Sequence, residues 1–176
     1  LQTSAGPKAN NKLKLAIGAA VALLVDTSFS MAMDGRWVPM KRTALALHQL
    51  ISTRFRGDAL KLITFGRHAR DVALGELIGL EGAYEQGTNL HHALLLAGQH
   101  LRRHPDAQPV VLVVTDGEPT AHLEDDGTPF FCWPPMPETI ARTVAEVERV
   151  ARSGATMNVF ALDPEPGLVH FVHDIT

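Results

Sequence analysis

At 176 residues the chain fits one domain with room for a real core, and 45% hydrophobic with 20% charged residues excludes a disordered composition. A net charge of −3, with no Lys/Arg-rich block, excludes a broad electrostatic grip on nucleic acid. Cys132 stands alone, which excludes an internal disulfide and a cysteine zinc cluster; a reducing, cytoplasmic setting is the simpler reading.

Residues 1–14 read as an N-terminal arm or tag remnant, polar and patternless over residues 1–11. The apolar run over residues 15–25, preceded by Lys12 and Lys14, resembles a signal-peptide core in composition. It is too short to span a bilayer, and no small-residue cleavage pattern follows. Residues 16–25 therefore read as a parallel strand covered on both faces. Pro39 is placed to open a helix, along which Met40, Ala44, Leu47, Ile51 and Phe55 form one apolar stripe.

Residues 58–66 alternate as a strand, and residues 70–77 read as its partner across a tight turn, the one hairpin the spacing proposes. Leu90, Leu94, Ala97 and Leu101 recur at helical spacing. "PVVLVVTDG", residues 109–117, is a second buried strand ending in Asp116. Residues 118–138 make a connection far longer than the usual ~2–6 residues. Ile140, Val144, Val147 and Ala151 mark a third helix, closed by Gly154. Residues 156–162 are a further strand, and Leu168, Phe171 or Val172, and Ile175 begin a last helix. Alternating strands and helices predict an α/β sandwich with a mostly parallel central sheet, whose ligands sit at the carboxyl ends of the strands. Asp26 and Asp116 each end a strand on that edge.

The stretch "DTSFS" places Asp26, Ser28 and Ser30 at alternate positions, so an extended loop would aim all three side chains the same way. A nucleophile, a metal cradle and a simple turn would each account for it. "GTNL" adds Thr88 in the loop before a helix, where Thr88 and Asn89 also read as a helix cap, and "TDGEP" adds Asp116. Two carboxylates and three hydroxyls make an all-oxygen donor set, suited to Mg²⁺ or Mn²⁺, with a sixth octahedral position left for an incoming anion.

These three pieces, in this order and location, resemble the metal-ion-dependent adhesion site of von Willebrand factor A (VWA) domains, and the similarity runs from about residue 16 over nearly the whole chain. The resemblance implies a Rossmann-like three-layer α/β/α sandwich over residues 15–176, with sheet order 3-2-1-4-5 and an antiparallel edge strand over residues 70–77. It also implies that the chain stops before the family's last edge strand. It implies Asp26, Ser28, Ser30, Thr88 and Asp116 as ligands of Mg²⁺, with Mn²⁺ or Ca²⁺ as substitutes, and a partner's Glu or Asp as the sixth ligand. The context is most similar to bacterial intracellular magnesium-chelatase-D-like proteins that work beside MoxR-type AAA+ ATPases. The implied function is divalent-cation-dependent protein binding, with no membrane and no nucleic acid as partner. Phe29 stands where the family often has Gly.

Two other readings account for the same residues. A structural assembly domain would use the ion only to brace its loops. A haloacid-dehalogenase-like phosphatase would also place an aspartate after the first strand, but it needs a second carboxylate where this chain has Ser28, so no enzymatic activity is expected. No G-x-S-x-G elbow surrounds either serine. Phe29, Glu118, Phe130, Phe131 and Trp133 are candidates for a partner-binding rim; equally, the aromatics of residues 118–138 would pack down over the sheet edge. Cys132 reads as a bystander. His91 and His92 diverge by about 100° on a helix, His100 and His104 lie toward its far end, and His170 and His173 are only a pair, so solvated or capping roles are expected.

Overall fold

The computed structural model describes residues 18–33, 35–54, 57–81, 85–162 and 166–175. The arm assigned to residues 1–14 and the stripe position Phe55 lie outside them. Five strands form the central sheet: β1 (Ala19–Asp26), β2 (Ala59–Phe65), β3 (Ala69–Asp71), β4 (Gln108–Thr115) and β7 (Thr156–Ala161). Their order is β3-β2-β1-β4-β7, the predicted 3-2-1-4-5 arrangement, with only the β2–β3 pair antiparallel. In the register, Leu23 of β1 lies between Leu62 of β2 and Leu112 of β4.

The unbroken apolar character of β1 follows from burial on both faces. Ala20, Ala22 and Leu24 pack with α4 (Leu90–Arg102), α5 (Pro137–Arg152) and α6 (Pro166–Asp174). Leu23 and Val25 face the other layer, which holds α1 (Phe29–Ala32), α2 (Trp37–Arg54) and α3 (Leu74–Gly79). Each fully buried leucine contributes ~1.5–3 kcal/mol relative to exposure. The predicted α4 stripe is buried throughout, and Asn89 caps that helix by accepting the His92 N–H at 2.9 Å. No helix among the described residues is long and apolar enough to cross a membrane.

Several local expectations are corrected. Helix α2 opens at Trp37, with Pro39 inside the first turn, where a missing N–H costs nothing. Strand β3 covers only Ala69–Asp71, because Glu76 Oε2 accepts the Ala73 N–H at 2.6 Å and starts α3 where the strand was expected to continue. The buried ridge of α5 runs through Thr139, Thr143, Val147 and Val150, so Ile140 and Val144 sit at its edge and Ala151 is exposed. Threonines can occupy that ridge because their hydroxyls bond internally: Thr143 Oγ1 donates to Thr139 O at 2.8 Å, and Thr139 Oγ1 meets His122 Nδ1 at 2.9 Å.

The long connection is not a single loop but holds a second hairpin, β5 (Ala121–Leu123) with β6 (Pro129–Phe131). Asp126 Oδ1 accepts from Thr128 N and Thr128 Oγ1, and Gly127 takes φ +83° at the tip.

Candidate metal centre

Strand β1 ends with Asp26 fully buried. Its Oδ1 accepts the Ser28 N–H at 2.8 Å and its Oδ2 accepts the Thr115 hydroxyl at 2.6 Å. The first of these bonds folds the chain back at once, so Ser28 heads the short helix α1 and Ser30 lies within it. The expected extended alternation is therefore replaced by a helical turn. It still brings the oxygens together: Ser28 Oγ and Ser30 Oγ are 3.1 Å apart, and Ser30 Oγ donates to Asp116 Oδ1 at 3.0 Å.

Asp116 follows β4 and is also fully buried. Its Oδ2 is held at 3.0 Å by the Arg36 guanidinium. Thr88 reaches the same edge from the loop before α4, and that loop is clamped on both sides. Asn89 N donates to Gly66 O at 2.8 Å, Thr88 N donates to Thr120 Oγ1 at 2.9 Å, and Thr120 N donates to Thr88 O at 3.2 Å. Gly87 takes φ +114°, and a Cβ there would sit 3.2 Å from Ala121 Cβ and 3.3 Å from Phe131 Cδ2.

Above the carboxylates lies a cavity of about 450 Å³, lined by Ser28, Ser30, Thr88, Gly87, Gly117 and Thr120 together with Phe29, Glu118, Phe131 and Trp133. The structure thus brings the three hydroxyl residues and four of the five rim candidates to one hollow, with Asp26 and Asp116 beneath it. Phe130, on the other side of β6, instead packs against the His122 ring at 5.1 Å. Trp133 is 60% exposed at the mouth. A larger cavity of about 570 Å³ lies at the opposite sheet edge, between the ends of α4 and α5, and contains none of these oxygens.

The electrostatics are those of a site short of positive charge. Burial, and then the neighbouring Asp116 carboxylate, push Asp26 up from 3.8 to about 7 against the hydrogen bonds from Ser28 and Thr115. Burial also raises Asp116, with Ser30 and Arg36 opposing. A divalent ion fits this donor set. Bonds of about 2.0–2.1 Å at right angles separate neighbouring ligand oxygens by about 2.9 Å, close to the 3.0 and 3.1 Å spacings of Ser28, Ser30 and Asp116.

The sequence reading missed three residues around the site. Thr115, the last residue of β4, and Thr120, four residues after Asp116, could have been found as hydroxyls close to that carboxylate in the chain. Arg36 lies 80 residues from the carboxylate it pairs with and gives no local signal. Of the histidines expected to be solvated or capping, His170 and His173 are exposed, whereas three on α4 are tied to the backbone of neighbouring segments. His91 Nδ1 accepts the Leu123 N–H at 3.2 Å, His92 Nδ1 accepts the Ala69 N–H at 3.1 Å, and His100 Nε2 meets Ala59 O at 2.9 Å.

Comparison with known proteins places the chain in a family. A family model described as "Rv0959-like protein, vWA domain" matches residues 19–176. The protein described as "Uncharacterized protein Rv0959" from Mycobacterium tuberculosis (strain ATCC 25618 / H37Rv) is 66% identical over 161 residues, covering 89% of this chain and 24% of that protein. The chain thus spans about a quarter of the length of the curated relatives it matches. Among solved structures, the pilus adhesin SpaC from Lactobacillus rhamnosus GG superposes with a TM-score of 0.72 at 15% identity, over 91% of this chain and 28% of that one. The manganese-loaded Plasmodium vivax TRAP protein superposes with a TM-score of 0.62 at 17% identity, over 90% of this chain and 62% of that one. At these identities the likeness is one of fold, whereas the family match and the mycobacterial relative establish membership: the chain belongs to the Rv0959-like vWA domain family.

Proposed function

We propose that the chain is a divalent-cation-dependent protein-binding module whose partner presents a Glu or Asp to an ion held by Asp26, Ser28, Ser30, Thr88 and Asp116. The observation that carries this reading is the pair of buried carboxylates under a hydroxyl-lined cavity, with oxygen spacings that suit octahedral neighbours. When bound, the ion supplies an electrophilic open position for a carboxylate. Mg²⁺ is the first choice, with Mn²⁺ or Ca²⁺ as substitutes; the manganese-loaded TRAP structure shares the fold and supports this class of ion. Ser28, Ser30 and Thr88 are neutral, so they add no charge to quench the ion. Phe29, Phe131 and Trp133 supply apolar contact around the opening and exclude water from it.

A bracing ion is less favoured, because the Thr88 loop is already tied to the end of β2 and to the start of the hairpin by hydrogen bonds to Gly66 and Thr120. The reading includes no catalytic step, since Ser28 occupies the position where a phosphatase would need its second carboxylate; Asp26-dependent turnover of an aryl phosphate would refute that. By resemblance, the partner is proposed to belong to a MoxR-type AAA+ assembly. The test is a Mn²⁺ titration followed by loss of the free-ion EPR signal, with Asp116→Ala as control. Saturable binding that the control loses supports the site, and equal binding by both proteins sinks it.

A further inference from the structure

A second set of ligand atoms converges on the other side of the hairpin. His122 of β5 is 1% exposed, and its Nδ1 shares a 2.9 Å hydrogen bond with Thr139 Oγ1 in the first turns of α5. That bond fixes the ring and turns Nε2 to the far side. There Nε2 is buried and has no hydrogen-bond partner among the described residues. A buried polar atom left unsatisfied costs ~1–3 kcal/mol, so its persistence needs an explanation.

Nε2 is aimed at carboxylates. Glu124 Oε1 lies 3.6 Å away, and a ring nitrogen of His122 and one oxygen each of Glu124 and Glu138 lie within 4.8 Å of one another. Ligands at about 2.0–2.1 Å around a tetrahedral ion stand about 3.3 Å apart, so the His122–Glu124 spacing is close to that of a formed site. Glu138 sits in the first turn of α5 and is largely exposed, free to close the remaining gap by rotation about its side chain. The Thr139 hydroxyl plays the part that outer partners play for metal-bound histidines, orienting the ring through its second nitrogen.

We infer that His122, Glu124 and Glu138 form a second divalent-metal site, separate from the Asp26 and Asp116 cluster, which takes a first-row transition ion of the Zn²⁺ or Co²⁺ kind. One imidazole with two carboxylates selects that class over Mg²⁺ and Ca²⁺, which favour all-oxygen shells. Arg142 now neutralises the carboxylates, reaching Glu138 Oε1 at 2.9 Å, Glu124 Oε2 at 3.7 Å and Asp125 Oδ1 at 2.9 Å. With the ion in place the guanidinium keeps Asp125. The ion joins β5 to the start of α5 and so fixes the hairpin that carries Phe131 on the wall of the first cavity.

The test is a Co²⁺ titration of the chain in excess Mg²⁺, followed by visible d–d absorption, with Glu138→Gln and His122→Gln beside it. The expected result is one saturable site per chain, displaced by Zn²⁺, with affinity at least tenfold weaker in both variants. Absence of a saturable Co²⁺ spectrum, or an affinity unchanged in Glu138→Gln, overturns the inference. Glu138 is a surface position, so circular dichroism should show that variant folded even if His122→Gln is not. The inference does not rest on the proposed function, because loss of the Asp116 site would leave the Glu138-dependent spectrum in place.

Discussion

Asp26→Asn should stabilise the metal-free domain while abolishing its response to metal. In the folded chain Asp26 holds its proton to about pH 7, whereas in the unfolded chain it releases it near 3.8. Across that window the folded state binds more protons than the unfolded one, so this group makes stability fall as pH rises, and the loss is complete above pH 7. At about 1.4 kcal/mol per unit, the full penalty is on the order of 4 kcal/mol, of which about 2–3 kcal/mol accrues between about pH 5 and about pH 8. Asparagine removes the ionisation and keeps the shape. Its Oδ1 can still accept the Ser28 N–H, and Thr115 Oγ1, already 3.3 Å from Gly117 O, can turn to donate there and accept from the new amide.

The assay is thermal unfolding in EDTA at the two pH values, with and without added Mg²⁺. For a domain of this size each kcal/mol moves Tm by about 2–4 °C, so the advantage of the variant should grow by about 5–10 °C from pH 5 to pH 8. Added Mg²⁺ should raise the Tm of the unaltered chain at pH 8 and leave the variant unmoved, because the ion needs the ionised carboxylate. An offset between the two proteins that is the same at both pH values would refute the reasoning, since burial of a charge would then not be what Asp26 contributes.

Three further outcomes are expected. His91, lowered from 6.5 to about 4 chiefly by burial, binds fewer protons folded than unfolded between those values, so it makes stability rise with pH there; His91→Gln should steepen the fall caused by Asp26, as read in urea titrations across that range. Gly87→Ala should cost ~1–3 kcal/mol and weaken Mn²⁺ binding measured by EPR, because φ +114° and the contacts with Ala121 and Phe131 force the Thr88 loop or the hairpin to move. Leu94→Ala, fully buried on α4, should cost ~2–5 kcal/mol in equilibrium unfolding with an unchanged m-value.

The sheet was legible because its signals are strong and local. The doubly covered strands β1 and β4 are continuous apolar runs, α4 carries a four-membered stripe, and parallel topology then fixes which ends of the strands meet. Asp26 and Asp116 fall on one edge for that reason alone. What escaped was decided by single polar contacts. Glu76 converts the expected strand extension into α3, and His122 recruits Thr139 onto the buried side of α5 and rotates its ridge away from Ile140 and Ala151. The second hairpin carries a readable Asp126-Gly127 turn signal, but its strands of three residues each are too short to show an alternating pattern.

Arg36 shows why the site itself resists a purely local reading. Two carboxylates buried side by side are unfavourable, and the fold offsets this with one guanidinium on Asp116 and with hydroxyl donors on both aspartates. Asp26 keeps its proton as the remaining compensation. A divalent ion at the hydroxyls would replace that proton and share Asp116 with Arg36, so occupancy, protonation and stability are linked through one pair of side chains. The same oxygens that suit the ion therefore make the metal-free domain less stable above neutral pH. That cost is visible in the raised carboxylates before any ion is added, and it points to a site shaped for a positive charge that the protein supplies only in part.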